Sequence, residues 1–388
     1  MSTAGQSLLV VCGEASGDLL AAGVVRALAG VAPGVRAYGM GGDQCRAAGV
    51  ETVLDCSQIA VMGIAEVVPA LPRVFAALWR LTRLARERRP SAALLVDAPD
   101  FNLRLAPRLR ALGVPVVGYV SPTVWAWRAG RVRRVARDLA ALCCVLPFEP
   151  AFYEARGYAK ATYVGHPLLD APASRPLSES ARPPRLALLP GSRRQEVRRL
   201  APRLAAAAAR LVAERPSLDV VAPVASGLEV AWVAAQFARG GLVPRCVCEP
   251  ARDVLAASDA AVVASGTATL EAALAGTPHV VVYAVSPLTW AVARLFVRTP
   301  FVGLPNLVAG RAVVPELLQR DCNEARIARE VAPLLDAASP GRAAQVAAFA
   351  DVRASLGAPG ASARVAAEIL RVLSPQAPHP QELVAHAG

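Results

Sequence analysis

Lysine is almost missing. Of 42 basic residues in a chain of 388, only Lys160 is a lysine, which leaves 41 arginines. With abundant alanine and proline, that skew reads as the base composition of the gene rather than a demand for guanidinium groups. Acidic residues are the minority, 30 against 42, for a net charge of +12. A basic balance favours anionic partners: nucleic acid, nucleotide phosphates or an anionic membrane surface. Aromatics are only 5% of the chain, and no basic run is interleaved with them as a base-stacking platform requires, so nucleic acid is set aside first. The eight cysteines form no CxxC pair, which argues against zinc. Most sit in apolar runs, where Cys serves as a small hydrophobe, and nothing points to an oxidising compartment. The start, MSTAGQSLLVVCGE, lacks a basic n-region and runs straight into a predicted strand, so no signal peptide is expected. The longest weakly charged stretch, 260–297, is broken by Glu271, Pro278, Pro287 and Arg294 and reads as a buried strand and helices, not a membrane span. No repeat of 20–50 residues is present. These absences leave a cytosolic globular protein, long enough for two or three domains with real cores.

What is present alternates. Continuous Val/Leu/Ala runs at 7–12, 92–96, 115–120, 142–146 and 161–164 read as strands buried on both faces, and a second series follows at 185–189, 218–223, 260–264 and 279–284. Helical patterns at 18–30, 71–88, 196–214 and 268–275 lie between them. Alternating β and α elements in two series predict two doubly wound parallel sheets, two Rossmann-like domains facing across a cleft. The first covers 1–170 and the second 185–345. The Pro/Ser/Ala-rich segment 171–184 between them reads as a linker. Residues 374–388 lack an apolar period and read as a loose tail.

In such sheets ligands bind beyond the carboxyl ends of the strands. The first strand ends in Gly13-Glu14-Ala15-Ser16-Gly17-Asp18. This is not GxGxxG, and a carboxylate at the head of the turn would repel phosphate, so the turn is not read as a phosphate cradle. Asp18 has a simpler reading as a helix cap. The strand at 92–96 ends in Asp97-Ala98-Pro99-Asp100-Phe101-Asn102, where Asp97 could take a proton from a hydroxyl nucleophile or, with Asp100, merely form the turn. Trp125 and Trp127 read as packing or as ligand contacts, with Arg128 beside them. His166, between Gly and Pro, reads as a donor-side ligand or a hinge residue. In the second series, Pro190-Gly191-Ser192-Arg193 and Ser265-Gly266-Thr267 put small residues and free amides at helix starts, which favours an anion. Arg193 could fork onto a diphosphate, or be a solvated charge. Glu271 could accept from a ribose hydroxyl, or serve the helix dipole.

These stretches also carry a resemblance. GEASGDLLAAGVVRAL, AVMGIAEVV, DAPDFN, YVSPTVWAWRAGRV, LPFEPAFY, LLPGSRRQEV, ASGTATLEAAL and LPNLVAGR, in order from about residue 8 to about 330, resemble the lipid-A-disaccharide synthase family. The family is similar to the GT-B glycosyltransferases. The resemblance implies two Rossmann-like domains, no metal or other cofactor, and inversion at the sugar. It implies transfer of 2,3-diacylglucosamine from UDP to the 6-hydroxyl of 2,3-diacylglucosamine 1-phosphate, giving the disaccharide 1-phosphate and UDP. Carried over residue by residue, it implies Asp97 as general base and Glu14 as an essential acceptor-side carboxylate. Arg193, Glu271 and Asn306 fall on the donor side, with Gly191, Ser192, Ser265, Gly266 and Thr267 in the two loops. Ser16, Asp100, Asn102, Trp127, Arg128 and His166 are weaker acceptor-side candidates. GT-B folds also imply that helices within 346–373 pack back on the first domain.

Both substrates carry acyl chains, so the expected place of work is the cytoplasmic face of the inner membrane. The basic amphipathic segment 64–90, with Phe75 and Trp79, is the candidate contact, and 287–303 the next. A homodimer is left open. Two other readings stand beside this one. A nicotinamide-dependent oxidoreductase rests only on the α/β pattern. A non-catalytic membrane-binding scaffold must ignore the carboxylates.

Overall fold

The structure is a computed structural model and describes residues 5–58, 64–127, 129–170, 182–286, 290 and 299–374. The chain divides into two compact units, Met1–Asp170 with Ala358–Gly388, and Ala171–Gly357. The first holds β1 (Ser7–Cys12), β2 (Arg36–Gly41), β3 (Glu51–Asp55), β4 (Ala92–Val96), β5 (Val116–Tyr119), β6 (Ala141–Cys144) and β7 (Ala161–Tyr163). The second holds β8 (Arg185–Leu189), β9 (Asp219–Pro223), β10 (Arg245–Val247), β11 (Ala260–Ala264), β12 (His279–Tyr283) and β13 (Glu316–Leu318). The sheet orders are β3-β2-β1-β4-β5-β6-β7 and β10-β9-β8-β11-β12-β13. Every described pairing is parallel. Both units are doubly wound, and strand order reverses between β1 and β4 in one and between β8 and β11 in the other.

The central strands are buried end to end, as β4 and β11 show, because helices cover both faces. The strands that the apolar runs did not reveal are β2, β3, β10 and β13. They lie towards or at sheet edges, where one side needs less apolar surface. In β2 (RAYGMG) two glycines mask the pattern further. Gly39 adopts φ +144, and a Cβ there would overlap the carbonyl of Val10, so the close pairing of β1 and β2 requires glycine.

The second unit ends later than expected. Helix Pro340–Ser355 belongs to it: Phe349 stacks on His279 at 5.4 Å between ring centroids, and the His279 amide donates to Gln345 Oε1 at 2.9 Å. The expected return at 346 is therefore corrected to Ala358. From there the closing helix Ala361–Leu373 packs on helix Ala15–Val31 and on β4, β5 and β6. Gly23 permits that approach, since a Cβ there would lie 2.8 Å from Ser362 Oγ. Asp170 caps the closing helix, accepting from the amides of Gly360 (2.6 Å), Ala361 and Ser362 (both 3.1 Å). Arg364 crosses back to the carbonyl of Val164 at 2.7 Å. At the other crossing, Arg182 pairs with Asp259 at 2.8 Å, so the chain is anchored in the second unit by 182. Residues 171–181 of the expected linker and 375–388 of the expected tail lie outside the described residues.

Candidate functional site

Each unit places a motif at its point of strand-order reversal, where a doubly wound sheet opens a crevice. In the first unit these are the turns after β1 and β4, which pair side by side with Cys12 against Val96. Glu14 is the exposed N-cap residue of helix Ala15–Val31, and Ser16 is exposed in its first turn. Gly17 joins the two turns. A Cβ there would lie 3.3 Å from Cys12 Cβ, 3.6 Å from the Val96 carbonyl and 3.8 Å from Asp97 Cβ. The glycine lets the helix start close to Asp97.

The turn carrying Asp97 is strained. Asp97 (φ +50) and Ala98 (φ +44) are both left-handed, and so is Val120 (φ +68) at the end of the neighbouring β5. None is glycine, and each such residue costs on the order of 1–3 kcal/mol. The strain is held by Asn102, whose Nδ2 donates to the Asp97 carbonyl, by the Asp97 amide bonding to Tyr119 O at 2.9 Å, and by Pro99 at the helix start. Asp97 itself is half-buried. Asn102 Oδ1 is buried and lacks a hydrogen-bond partner. Asp100 accepts from Arg131 Nη2 at 2.8 Å, which ties the Asp97 turn to the segment after Trp127. The side chain of Trp127, and Arg128 altogether, lie outside the described residues.

The structure places three more of the residues singled out in the sequence. Asp18 does cap a helix, but not its own. It accepts from the amides of Gly42 (2.7 Å), Gln44 (2.9 Å) and Cys45 (3.1 Å), at the start of helix Asp43–Ala47. Trp125 is a packing residue. Its Nε1 donates to Glu149 Oε1 at 3.1 Å and its ring meets Phe148 edge-on at 5.1 Å. His166 is buried, and its Nδ1 accepts from the Leu168 amide at 3.2 Å, capping the short helix Pro167–Leu169. Burial lowers its pKa to about 4, so it stays neutral at pH 7. Glu149 went unread in the sequence. Burial raises its carboxyl to about 7, against bonds from the Leu146 and Val145 amides and Trp125. A carboxylate inside the apolar stretch LPFEP was the available signal.

In the second unit the loops after β8 and β11 are neighbours. Gly191 has φ +106, and a Cβ there would overlap the Glu196 carboxylate. Ser192 is exposed, and Arg193 caps helix Arg194–Glu214 with its side chain 61% exposed, loosely paired to Glu196 at 3.6 Å. Gly266 and Thr267 are exposed at the start of helix Thr267–Leu274, with Gly266 at φ +152. Both loops thus offer amides at helix N-termini, and the first adds a largely exposed guanidinium, a set suited to a diphosphate. Burial raises the Glu271 carboxyl, partly offset by Arg252.

Asn306 is buried and clamps rather than reaches. Its Oδ1 accepts from the Val313 and Val314 amides (2.7 and 2.9 Å), and its Nδ2 donates to Val314 O (3.0 Å) and Glu316 Oε1 (2.8 Å). Glu316 in turn accepts from the amides of Val302 (3.0 Å) and Gly303 (2.9 Å), and Ser265 Oγ donates to Val302 O at 2.8 Å. Asn306 is therefore linked to the loop after β11 through Glu316 and Val302, as a positioning residue. Among the described residues, the group of His, Cys, Asp or Glu side chains close enough to share an ion is Cys12, Asp18 and Cys45, which is not in either loop of the second unit.

A family model described as lipid-A-disaccharide synthetase matches residues 8–367. A lipid-A-disaccharide synthase of Anaeromyxobacter sp. (strain K) is 49% identical over 94% of this chain and 97% of its own. One of Myxococcus xanthus (strain DK1622) is 48% identical over 95% and 98%. The fold is similar to that of a Staphylococcus aureus MnaA–UDP co-structure (TM-score 0.65, 13% identity, 95% and 97% covered) and of the calicheamicin glycosyltransferase CalG4 (TM-score 0.60, 20% identity, 96% and 99% covered). The full-length match does not favour the oxidoreductase reading. The chain belongs to the lipid-A-disaccharide synthase family and is a glycosyltransferase of lipid A biosynthesis.

Proposed function

We propose that the chain moves 2,3-diacylglucosamine from UDP to the 6-hydroxyl of 2,3-diacylglucosamine 1-phosphate, with inversion. The observation that carries the reading is the placement of a carboxylate pair at one strand-order reversal and an amide-and-arginine pair at the other. Asp97 removes the proton of the attacking hydroxyl as the new C–O bond forms, and Glu14 orients the acceptor. The UDP leaving group departs with its bond electrons, and its diphosphate charge is steadied by Arg193 and the amides of the Gly191–Ser192 and Ser265–Thr267 loops. In this mechanism charge is neutralised by protein donors, so turnover survives excess EDTA. The test is turnover of the diacyl UDP-sugar with the acceptor, with and without EDTA. No product with wild-type enzyme ends the reading, and a loss that Mg²⁺ restores ends its metal-independent form. Protection from thermal unfolding by UDP and not by NAD is the expected companion result.

The acylated substrates partition into bilayers, yet among the described residues no helix is long and apolar enough to cross one. Helix Ile64–Arg88 supports a surface contact. Leu78, Leu81, Leu84 and Ala85 are buried on one side, while Leu71, Phe75 and Trp79 are exposed at four-residue intervals. Arg73, Arg80, Arg83 and Arg86 are exposed around that stripe. Such a helix lies in an anionic interface with its apolar stripe inserted. The cytoplasmic face of the inner membrane is the surface that carries both substrates.

A further inference from the structure

Three cysteines that are scattered in sequence meet behind the opening turn. Cys12 ends β1, Cys45 lies in helix Asp43–Ala47, and Cys56 follows β3; all are buried. The Sγ atoms of Cys12 and Cys45 and a carboxylate oxygen of Asp18 lie within 4.8 Å of one another. Cys12 Sγ donates to the Met40 carbonyl at 3.5 Å and lies 4.0 Å from Asp18 Oδ1, and Cys45 Sγ donates to the Asp18 carbonyl at 3.6 Å. The backbone makes room for this convergence. A Cβ on Gly41 would lie 2.9 Å from Cys45 Sγ, and one on Gly42 would lie 2.6 Å from Asp18 Oδ2 and 3.2 Å from Cys56 Sγ. Ordinary core packing does not need three thiols against a carboxylate. The Gly42, Gln44 and Cys45 amides donate to that carboxylate and fix it beside the sulfurs.

We infer that Cys12, Cys45 and the Asp18 carboxylate, with Cys56 alongside, bind a soft, thiophilic d10 cation such as Zn²⁺, Cd²⁺ or Cu⁺. Thiolate sulfurs are the ligands such ions prefer. Two thiolates on one Zn²⁺, each at about 2.3 Å, stand at most about 4 Å apart in a tetrahedral site, within reach of side-chain rotation from the present separation. Binding displaces the thiol protons to solvent and transfers no electrons. Affinity therefore rises with pH. The ligands come from separate elements, so no spacing motif marks them. The ion would sit behind the acceptor turn. Cys12 adjoins Gly13-Glu14, and Gly17 separates Cys12 from Asp97. The ion stiffens that turn and touches no sugar. The route in is the short helix Asp43–Ala47, whose Asp43 and Gln44 are exposed.

Cys246 and Cys248, half-buried and exposed in the second unit, are a rival thiol pair, so the test uses a C246S/C248S background. Reduced, metal-free protein is titrated with CdCl₂, and the ultraviolet sulfur-to-cadmium absorption and the melting temperature are read. The expected result is one equivalent bound and a melting temperature raised by several degrees at saturation. Binding is tighter at pH 8 than at pH 6, and weakens at least tenfold in Cys12→Ala. In parallel, cadmium protects Cys12, Cys45 and Cys56 of the same background from alkylation, read by peptide mass spectrometry, which does not depend on any of the three being replaced. No absorption, unchanged binding in folded Cys12→Ala, or alkylation of the three thiols at the metal-free rate overturns the inference. None of these readouts involves sugar or turnover, so their failure leaves the transferase reading standing.

Discussion

In the proposed mechanism the chemistry turns on Asp97, and the backbone holds it in a left-handed conformation that Asp tolerates better than most residues. Asp97→Asn preserves that tolerance and the Asn102 clamp while removing the base. Turnover falls about 10²–10⁴-fold, with UDP affinity little changed because the proposed diphosphate contacts belong to the other unit. Near-normal turnover of the purified variant would remove Asp97 from the mechanism. Arg193→Ala acts on the donor. A charge-assisted bond is worth roughly 1.5–3 kcal/mol, so UDP binding measured calorimetrically weakens about ten- to hundredfold, and unchanged affinity would show that Arg193 points elsewhere. These residues were legible because they sit directly after apolar strands. Asn306 was legible as a motif member but not as a clamp, since its partners Val313, Val314 and Glu316 declare themselves only when the loop closes. Glu149 showed only as a carboxylate in an apolar stretch, because the donors to its oxygens, two amides and Trp125, come together only in the fold.

At the scale of the element, helix Ile64–Arg88 has two apolar sides, and periodicity alone could not say which faces the sheet. The structure resolves it: both a core side and an outward stripe exist on one helix. Co-sedimentation with anionic liposomes is expected, weakening with salt as surface attraction is screened. Phe75→Ser with Trp79→Ser reduces it, and Arg80→Glu with Arg83→Glu reduces it further. If all four folded substitutions sediment like wild type, the helix is only a core element and the contact lies elsewhere. The central strands were legible from their unbroken Val/Leu/Ala runs. The strands β2, β3, β10 and β13 were not, because their lengths and their glycines and charges reflect partial burial.

For the molecule as a whole, the two-sheet plan was readable from the alternation of elements, while the late end of the second unit was not, since it depends on Phe349 meeting His279. His279 and His166 also set an acid limit, one in each unit. Burial lowers both to about 4 from an ordinary 6.5. The unfolded chain takes up these protons at the higher pH and the folded chain only at the lower. The histidines' contribution to stability is therefore fully present above about pH 6.5 and falls as pH drops towards 4, by up to about 3 kcal/mol per histidine. Glu149 works oppositely: raised to about 7, it favours the fold in its neutral form, and that contribution fades as pH rises from about 4.5 to 7. Urea unfolding of His279→Gln and His166→Asn across this range should show flatter acid slopes than wild type; slopes equal to wild type in both would sink the assignment. The Asp170 cap on the closing helix has a different consequence, for biosynthesis. The ribosome completes the entire second unit before it emits Ala361–Leu373, so the first unit, though made first, waits for its last helix while the side of β4–β6 meant for Val365, Ile369 and Leu373 stands uncovered. Vectorial folding is inverted here: the nascent amino-terminal half must be shielded, by chaperone or by membrane, until translation ends.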